Sequence, residues 1–432
     1  MTRKCSTIAS DASQWVGCNL CGVSLSVLLA LTCLAVPPTA LETVLIDGVP
    51  YLRNPEQPEE GTRVVQLEEL WRAGGDDDEV FFGVIREVVS DDVGRLYLLD
   101  QQLTQVWVYA PDGEFLRTLS RQGEGPGEVN RPGDCFLLPA GGLGVLDRSP
   151  GKVTRVDLQG TPMSSLHIRR QGETGSGSMQ VRSGLWRGGT LVLCGQERRQ
   201  VDGQHLHIGF LSTFSEDGVE QQRLWHHDKQ AWDFENRSFT EKYSYFVEDG
   251  RGWTIGPRGE VYVARERDRY AVHVYAADGT LMRVIEREFI PTQRSGKDKQ
   301  RVAAGLTMTI NGEVIQLDSD IMDTDPCLRQ IHVDEQGQLW VWHARSLENQ
   351  PEGIFASCDL FAADGRYLAQ VQLAVEADPH QDRLIPLSGG RFVLLRGIID
   401  AMDAMWGGSS KDESVADIVP LEVICLRADL SW

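Results

Sequence analysis

The stretch that decides the fold runs from residue 91 to residue 132 and reads DDVGRLYLLDQQLTQVWVYAPDGEFLRTLSRQGEGPGEVNRP. A Gly-containing turn leads into the apolar run 96–99, and the alternating run 106–109 follows after a polar break. A Pro-Asp-Gly turn then precedes a third run at 115–119. Short β-rich runs that are separated by glycine turns predict successive antiparallel strands and not helices.

Two landmarks of this stretch recur along the chain. The first is a glycine turn followed by an apolar run, and it begins at Gly94, Gly142, Gly189, Gly259, Gly337 and Gly390. The second is a later turn, at Asp112-Gly113, Gln159-Gly160, Asp217-Gly218, Asp278-Gly279 and Asp364-Gly365. The first landmark recurs at intervals of 48, 47, 70, 78 and 53 residues. Such self-similarity indicates a repeat architecture.

Each repeat has room for four short strands, and six such units predict an all-β fold. We predict a six-bladed β-propeller with four antiparallel strands per blade, preceded by an export signal. To close the ring, either 43–46 or 64–70 is expected to pair with the last blade, so that no sheet edge stays exposed. The inner strands are predicted at Ile85–Ser90, 135–139, 184–187, 252–255, 330–334 and 383–387.

Residues 94–132 resemble an NHL repeat. The likeness is carried by the Gly-x-Leu-Tyr-Leu-Leu-Asp run, the Val-Trp-Val-Tyr-x-x-Asp-Gly hairpin and the glycine-rich connector before a proline. The repeat spacing of the whole chain after the leader resembles bacterial six-bladed propeller proteins that carry such repeats. The resemblance implies the propeller fold and no particular activity, because propellers support binding, sensing and enzymatic functions alike.

The first 40 residues have the pattern of an export signal. Arg3 and Lys4 precede an apolar run at 20–36, which a Pro-Pro pair then interrupts. The predicted organisation is a signal peptide or N-terminal anchor at 1–40 and the propeller at 41–432, in a periplasmic or secreted protein. The alternative is an uncleaved membrane anchor, because about 17 apolar residues is the short limit for a membrane span.

Charge and cysteine content exclude several classes of protein. A formal net charge of −21 argues against nucleic acid, which needs a basic footprint, and against docking on anionic lipid. We expect a monomer without a cofactor, whose membrane contact would run only through an uncleaved leader. Outside the leader no CxxC pair occurs, and most cysteines are expected to be small buried residues: Cys135, Cys194, Cys327, Cys358 and Cys425.

Every long insertion falls in one set of connections. In a four-stranded antiparallel blade the two landmark turns lie on one face of the disc, and the remaining connections lie on the other, which we call the long-loop face. Tight turns on one face and long loops on the other are typical of a scaffold that presents a functional surface. The long insertions are 195–205, 225–251, 289–328, 345–355 and 397–420.

Aromatic and polar side chains in these loops supply the predicted binding residues. Aromatic rings with polar atoms suit the recognition of ligands and proteins. The alternative for the aromatics of 225–251 is that they pack their own long loop onto the disc. The predicted binding residues are Trp232, Tyr243, Tyr245, His343, Arg345 and Trp406.

Motifs for metal binding or catalysis are weak. The His205-x-His207 pair and His226-His227-Asp228 suit zinc only if the two groups meet, which the sequence does not require. The aspartates of 318–325 lack the glycine and glutamate positions of a calcium loop. The glycine-rich segment 123–127 lacks a P-loop ending and is interpreted as the connector between blades one and two. We therefore assign no catalytic and no metal-binding residue.

The predicted function is an exported, non-catalytic propeller that binds a protein, peptide, glycan or small ligand on its long-loop face. The alternative is a metal-dependent propeller hydrolase or lyase, similar to lactonases, arylesterases or amidating lyases, with calcium or zinc centred in the pore. A third hypothesis is a sensor domain attached to the membrane by its leader. The inner strands contribute Arg86, Glu87, Trp186, Arg187, Trp253, His332 and Asp334, which lack a repeated metal-binding set.

Overall fold

The predicted leader at 1–40 lies outside the residues that the structure describes. Within the described ranges, no helix is long and apolar enough to cross a membrane. The computed structural model describes residues 41–75, 80–148, 151–172, 179–201, 204–229, 231–233, 236–244, 252–310, 313–406 and 420–429.

Three strands precede the blades, and blades 1 to 3 follow as four-stranded antiparallel sheets. The first three strands are β1 (Glu42–Ile46), β2 (Val49–Asn54) and β3 (Thr62–Gly74). Blade 1 comprises β4 (Ile85–Ser90), β5 (Leu96–Asp100), β6 (Gln105–Tyr109) and β7 (Phe115–Leu119). Blade 2 comprises β8 (Pro132–Leu137), β9 (Leu143–Asp147), β10 (Lys152–Val156) and β11 (Leu166–His167). Blade 3 comprises β12 (Met179–Arg187), β13 (Thr190–Val201), β14 (Gln204–Phe214) and β15 (Glu220–His227).

The connections on either side of blade 4 contain elements of their own. Blade 3 is followed by β16 (Trp232–Asp233), β17 (Ser238–Thr240) and a 3-10 turn (Glu241–Tyr243). Blade 4 comprises β18 (Trp253–Ile255), β19 (Val261–Val263), β20 (Ala271–Tyr275) and β21 (Leu281–Arg287). The next connection contains α1 (Gly296–Ala304), β22 (Thr307–Ile310), β23 (Glu313–Gln316) and β24 (Asp318–Asp320).

The last two blades complete the predicted six-bladed β-propeller, which is thereby confirmed. Each blade has its inner strand where the sequence predicts one, although β8, β12 and β25 begin earlier than expected. Blade 5 comprises β25 (Leu328–Val333), β26 (Leu339–His343), β27 (Ile354–Phe361) and β28 (Tyr367–Ala374). Blade 6 comprises β29 (Arg383–Pro386), β30 (Arg391–Arg396) and β31 (Glu422–Ala428), with α2 (Ile398–Trp406) between the last two strands.

One strand from the N-terminal region closes the ring. Residues 67–74 of β3 pair antiparallel with β31 and form the outer strand of blade 6. Residues 62–66 of the same strand pair in parallel with β28 of blade 5. Of the two predicted candidates, 64–70 is therefore the segment that reaches the last blade, from residue 67 onwards, whereas 64–66 pair with blade 5. The other candidate, 43–46, belongs to the β1–β2 hairpin, which extends blade 4 through parallel pairing of β2 with β21.

Aspartates at the ends of second strands hold the chain as it enters an inner strand. The Asp100 carboxylate, at the end of β5, accepts hydrogen bonds from the backbone N–H groups of Gly83 (2.8 Å) and Val84 (3.2 Å). Asp147, at the end of β9, accepts one from the N–H of Arg131 at 2.7 Å. These carboxylates satisfy backbone donors that burial removes from water. In the opening stretch, the aspartate that follows the apolar run 96–99 therefore has a structural role.

The glycine-rich segment 123–127 joins β7 to β8, as predicted for an inter-blade connector. The Glu128 side chain folds back over it, and its Oε2 accepts a hydrogen bond from the N–H of Gly125 at 2.8 Å. A Cβ at Gly123, where φ is +153°, would lie 2.1 Å from the same oxygen. The positive φ and this close approach both favour glycine at this position.

Candidate functional site

The two long connections that flank blade 4 pack together as one unit. Strand β17 pairs in parallel with β24, so a three-stranded sheet joins the connections. Its apolar side chains form a small core of its own, which includes Phe239, Leu317 and Ile321. The Glu241 carboxylate accepts hydrogen bonds from Arg267 (3.0 Å) and Arg294 (2.7 Å) at the same place. We call this unit the loop layer.

Two of the predicted binding residues contribute to the loop layer. Trp232 is half-buried and packs edge-on against Phe239, with ring centroids 4.8 Å apart. Tyr243 packs against the same core, and its ring centroid lies 5.4 Å from that of His227. The interpretation in which these aromatics pack their own loop accounts for both contacts.

His343 is buried beneath the surface. Its ring lies in a network of buried polar groups, with Nε2 3.7 Å from the carboxylate of Asp359. Arg345 is exposed, and its guanidinium lies over the Phe289 ring at 4.3 Å. Tyr245 and the side chain of Trp406 lie outside the described residues, although the Trp406 backbone ends α2. The structure therefore does not bring the six predicted residues together as one site.

The inner strands of all six blades surround a cavity of about 660 Å³ in the pore. Each inner strand runs from the long-loop face towards the landmark turns, so its first residues lie at the long-loop end. That end carries charged and polar side chains. The opposite end has a wall of apolar side chains beside a second polar set, namely Asp91, Asp92, Arg95, Arg187 and His332. The charged end includes Arg86, Glu87, Asp134, Arg182, Gln330 and Arg383. The apolar wall includes Leu137, Leu138, Leu185, Trp186, Ile385 and Leu387.

Arg187 bridges three blades at the landmark-turn end of the pore. Its guanidinium donates hydrogen bonds to the carbonyl oxygens of Ile255 (3.0 Å), Val333 (2.6 Å) and Asp334 (3.1 Å). His332 lines the cavity nearby, and burial, followed by the charge of Arg187, lowers the pKa of His332 to about 4. The His332 ring is therefore neutral at neutral pH.

Three arginines converge at the long-loop end of the pore. Arg86 on β4 and Arg182 on β12 line the cavity. Arg148, directly after β9, lies over Gly133, where a Cβ would sit 2.7 Å from its Cγ and Nε atoms. Burial, followed by the guanidiniums of Arg86 and Arg182, lowers the pKa of Arg148. The three positive charges therefore repel one another.

Two carboxylates near these arginines bind backbone donors. Asp134 accepts hydrogen bonds from the N–H groups of Cys135 (2.8 Å) and Gly184 (2.9 Å), and Glu87 accepts one from the N–H of Val88 (3.1 Å). Burial, followed by the charge of Glu87, raises the pKa of Asp134 well above its usual range. The neutral acid is thereby favoured, which leaves the arginine charges less compensated.

Trp253 adds a hydrogen-bond donor to the pore wall. It is the first residue of β18, lines the cavity and is 5% exposed. Its indole N–H is buried and has no hydrogen-bond partner among the described residues. A buried donor of this kind costs about 1–3 kcal/mol when unsatisfied, and tryptophan N–H groups usually find an acceptor.

The sequence identified part of this wall and missed the rest. Of the inner-strand residues singled out from the sequence, only Asp334 does not line the cavity. Its carboxylate instead accepts hydrogen bonds within its turn, including one from the indole N–H of Trp340 at 3.0 Å. Asp134 and Arg182 were missed because β8 and β12 begin earlier than predicted, and Arg148 lies beyond a strand altogether.

The described part of the chain contains no group of three or more His, Cys, Asp or Glu residues arranged to hold a metal ion. His227, one of the zinc candidates, stacks on Trp225 with ring centroids 6.0 Å apart. Among the aspartates considered for calcium, Asp323 pairs with Lys299 at 2.7 Å and Asp325 with Arg294 at 2.8 Å. These contacts give both aspartates structural roles.

Comparison with known proteins agrees with the fold. A family model described as a six-bladed β-propeller matches residues 76–168. No curated protein matches the chain.

Solved structures match over most of the chain at low sequence identity. A protein described as exported, from Bacteroides fragilis NCTC 9343, is 11% identical with a TM-score of 0.45, over 87% of this chain and 99% of that chain. A gluconolactonase from Xanthomonas campestris is 13% identical with a TM-score of 0.38, over 90% and 95%. A virginiamycin B lyase from Staphylococcus aureus is 9% identical with a TM-score of 0.39, over 83% and 98%. Such distant similarity transfers no activity.

Proposed function

We propose that this chain is an exported, non-catalytic propeller that binds a small ligand in its central pore. The observation that carries the proposal is the cavity of about 660 Å³, which combines a charged end with an apolar wall. A concave, mostly apolar site with a few directed polar groups is the usual form of a small-molecule site. Export rests on the leader pattern at 1–40, and the NHL-like features of the first blade are consistent with a binding scaffold.

The pore is a better ligand site than the long-loop face, where the sequence predicts the binding residues. Trp232 and Tyr243 make apolar contacts within the loop layer, and His343 is 4% exposed. Side chains that are already packed offer little area to a partner. We therefore propose the pore as the ligand site and the long-loop face as its surroundings, in a monomer that binds no nucleic acid.

A fluorescent probe of apolar cavities tests this proposal. Phenylnaphthylamine is neutral and emits strongly in apolar surroundings. The purified chain from residue 41 onwards should bind it saturably, at one site per molecule. Q330W places a large ring in the cavity and should abolish this binding, because Gln330 lines the pore. The control Q221W adds the same ring at an exposed position on β15 and should bind as the wild type does. Equal binding by both variants would place the site outside the pore.

Metal analysis separates this proposal from a metal-dependent hydrolase or lyase. The purified chain is dialysed against buffer without chelator, and its calcium and zinc are then measured. We expect far less than one ion per chain. Stoichiometric calcium or zinc that survives dialysis would contradict a purely binding role.

A further inference from the structure

The arginine cluster at the long-loop end of the pore specifies the chemistry of the ligand. We infer that Arg86, Arg148 and Arg182 bind the oxyanion group of an amphipathic small molecule, whose apolar part lies along the opposite end of the pore. This inference rests on the proposed function, since it concerns the same cavity.

The first argument is the imbalance of charge. Each neighbouring carboxylate, Glu87 and Asp134, accepts a backbone hydrogen bond, and among the described residues no ion pair joins either to Arg86 or Arg148. The Nε–H of Arg148 is buried without a hydrogen-bond partner. Elsewhere in the described chain, several arginines of similar burial pair with carboxylates, as Arg223 does with Glu197 and Arg294 with Glu241. Those pairs measure 3.0 and 2.7 Å. Arg86 and Arg148 have no such carboxylate pair among the described residues, which is what a site for an external anion requires.

The second argument is that the fold leaves space for the arginine side chains and places them around the pore. Gly133 leaves the space that the Arg148 side chain occupies, because a Cβ there would meet both Cγ and Nε at 2.7 Å. Guanidinium groups present a planar fork of donors that matches carboxylate, sulfonate and phosphate oxygens. Arg86 and Arg182 come from different blades, so a bound anion would be held from two sides of the pore.

The third argument concerns the rest of the ligand. Towards the landmark turns the pore has a wall of apolar side chains beside Arg187 and His332. The apolar wall includes Leu138, Leu185, Trp186 and Leu387. Burying apolar ligand area there contributes about 25 cal/mol per Å² before the costs of association are subtracted. A bare inorganic anion would leave that wall uncovered. The ligand class is therefore a small organic acid or organic phosphate with an apolar or aromatic body.

A matched pair of dyes tests the inference. Anilinonaphthalene sulfonate carries an oxyanion on the same aromatic body as neutral phenylnaphthylamine. Titrated into the wild-type chain from residue 41 onwards, the sulfonate should bind about tenfold more tightly or better, because charge-assisted hydrogen bonds form only with the anion. In R86Q and R148Q that advantage should fall to about twofold, with phenylnaphthylamine affinity unchanged. Circular dichroism establishes that each variant is folded.

The possible outcomes separate the two proposals. If Q330W blocks both dyes but the sulfonate binds no more tightly than the neutral dye, the oxyanion inference is wrong and the pore-binding proposal stands. If Q330W binds both dyes like the wild type, the pore-binding proposal fails, and the inference fails with it. If neither dye binds the wild type, both are overturned. Competition by octanoate, octyl phosphate and inorganic phosphate then distinguishes the headgroups. Displacement by inorganic phosphate as effective as by the octyl compounds would overturn the apolar part of the inference.

Discussion

The Nη1 atom of Arg187 donates a 2.6 Å hydrogen bond to the carbonyl oxygen of Val333, which belongs to blade 5, two blades further round the ring. The same guanidinium also binds the carbonyl oxygen of Ile255 in blade 4. One side chain therefore connects blades 3, 4 and 5 at the landmark-turn end of the pore. These contacts are long-range in sequence and form only when the ring is assembled.

Replacing this bridging arginine should destabilise the ring. R187M removes three donors from carbonyl oxygens, and hydrogen bonds to charged groups contribute about 1.5–3 kcal/mol each in favourable cases. Since Arg187 is half-buried, we expect the free energy of unfolding to fall by roughly 2 kcal/mol in urea titrations followed by circular dichroism. The control R198M, at an exposed position on β13, should unfold like the wild type. Similar behaviour of the two variants would show that the bridge does not contribute.

The closing strand should be sensitive to loss of Trp71. This side chain is 8% exposed, stacks on Tyr109 at 5.3 Å and donates from Nε1 to the carbonyl oxygen of Pro111 at 3.1 Å. Truncation of a buried aromatic ring costs about 3–5 kcal/mol, so W71A should lower the free energy of unfolding by that amount. The neighbouring L70A, at a 40% exposed position, should cost less than about 1 kcal/mol. Comparable losses in urea titrations would contradict this assignment of the closing strand.

Burial makes His343 a contributor to acid sensitivity. Burial, followed by the charges of Arg287, Arg345 and Arg329, lowers the pKa of His343 to about 4, against the opposing effect of Asp359. The ordinary pKa of histidine in an unfolded chain is about 6.5. Between these values the unfolded chain binds more protons than the folded one. The free energy of unfolding therefore falls as the pH drops from about 6.5 to about 4.

Substitution of this histidine should reduce that pH dependence. In H343N an amide oxygen can replace Nδ1, which accepts a hydrogen bond from the N–H of Arg345 at 3.1 Å, and nothing titrates in this range. The loss of stability between about pH 7 and about pH 4.5 should be smaller in H343N than in the wild type. H380N, at an exposed position, is the control and should keep the wild-type slope. An unchanged slope in H343N would show that this ring does not titrate as described.

The cluster of pore arginines should lower the thermal stability of the protein when no ligand is bound. Because burial and two like charges disfavour the charged form of Arg148, R148Q should match or exceed the wild-type melting temperature without ligand. R294Q is the contrast, because it breaks buried pairs with Glu241 and Asp325 and should cost about 3 kcal/mol. Thermal unfolding by calorimetry compares them. A large loss of stability in R148Q would indicate a structural role for Arg148.

The blade count follows from sequence because each blade repeats its own turn chemistry. Gly94 and its equivalents mark the start of every second strand, and their spacing alone yields six units. Ring closure was harder to predict, since 43–46 and 64–70 are both β-rich. Segment 43–46 pairs with β2, whereas 64–70 pairs with β28 and β31, and tertiary packing determines these partners. Local pattern cannot distinguish the two.

The site was less predictable than the fold. Trp232 is of a residue type that is common in binding sites, but its ring packs against Phe239 in the loop layer. Pairing of β17 with β24, a strand from the next connection, holds that layer together. Arg182 and Asp134 could have been found by extending each inner strand by a few residues towards its N-terminus, since strand boundaries are the least certain part of such predictions. Arg148 packs over Gly133, which lines the pore, and no periodic pattern marks that contact.

The most direct test of the central claim is a crystal structure of the chain from residue 41 onwards, grown with anilinonaphthalene sulfonate. We predict electron density for the dye inside the pore, with the sulfonate against Arg86 and Arg182 and the rings towards Trp186. Dye bound only on the long-loop face, beside Trp232 and Tyr243, with an empty pore, would contradict the account.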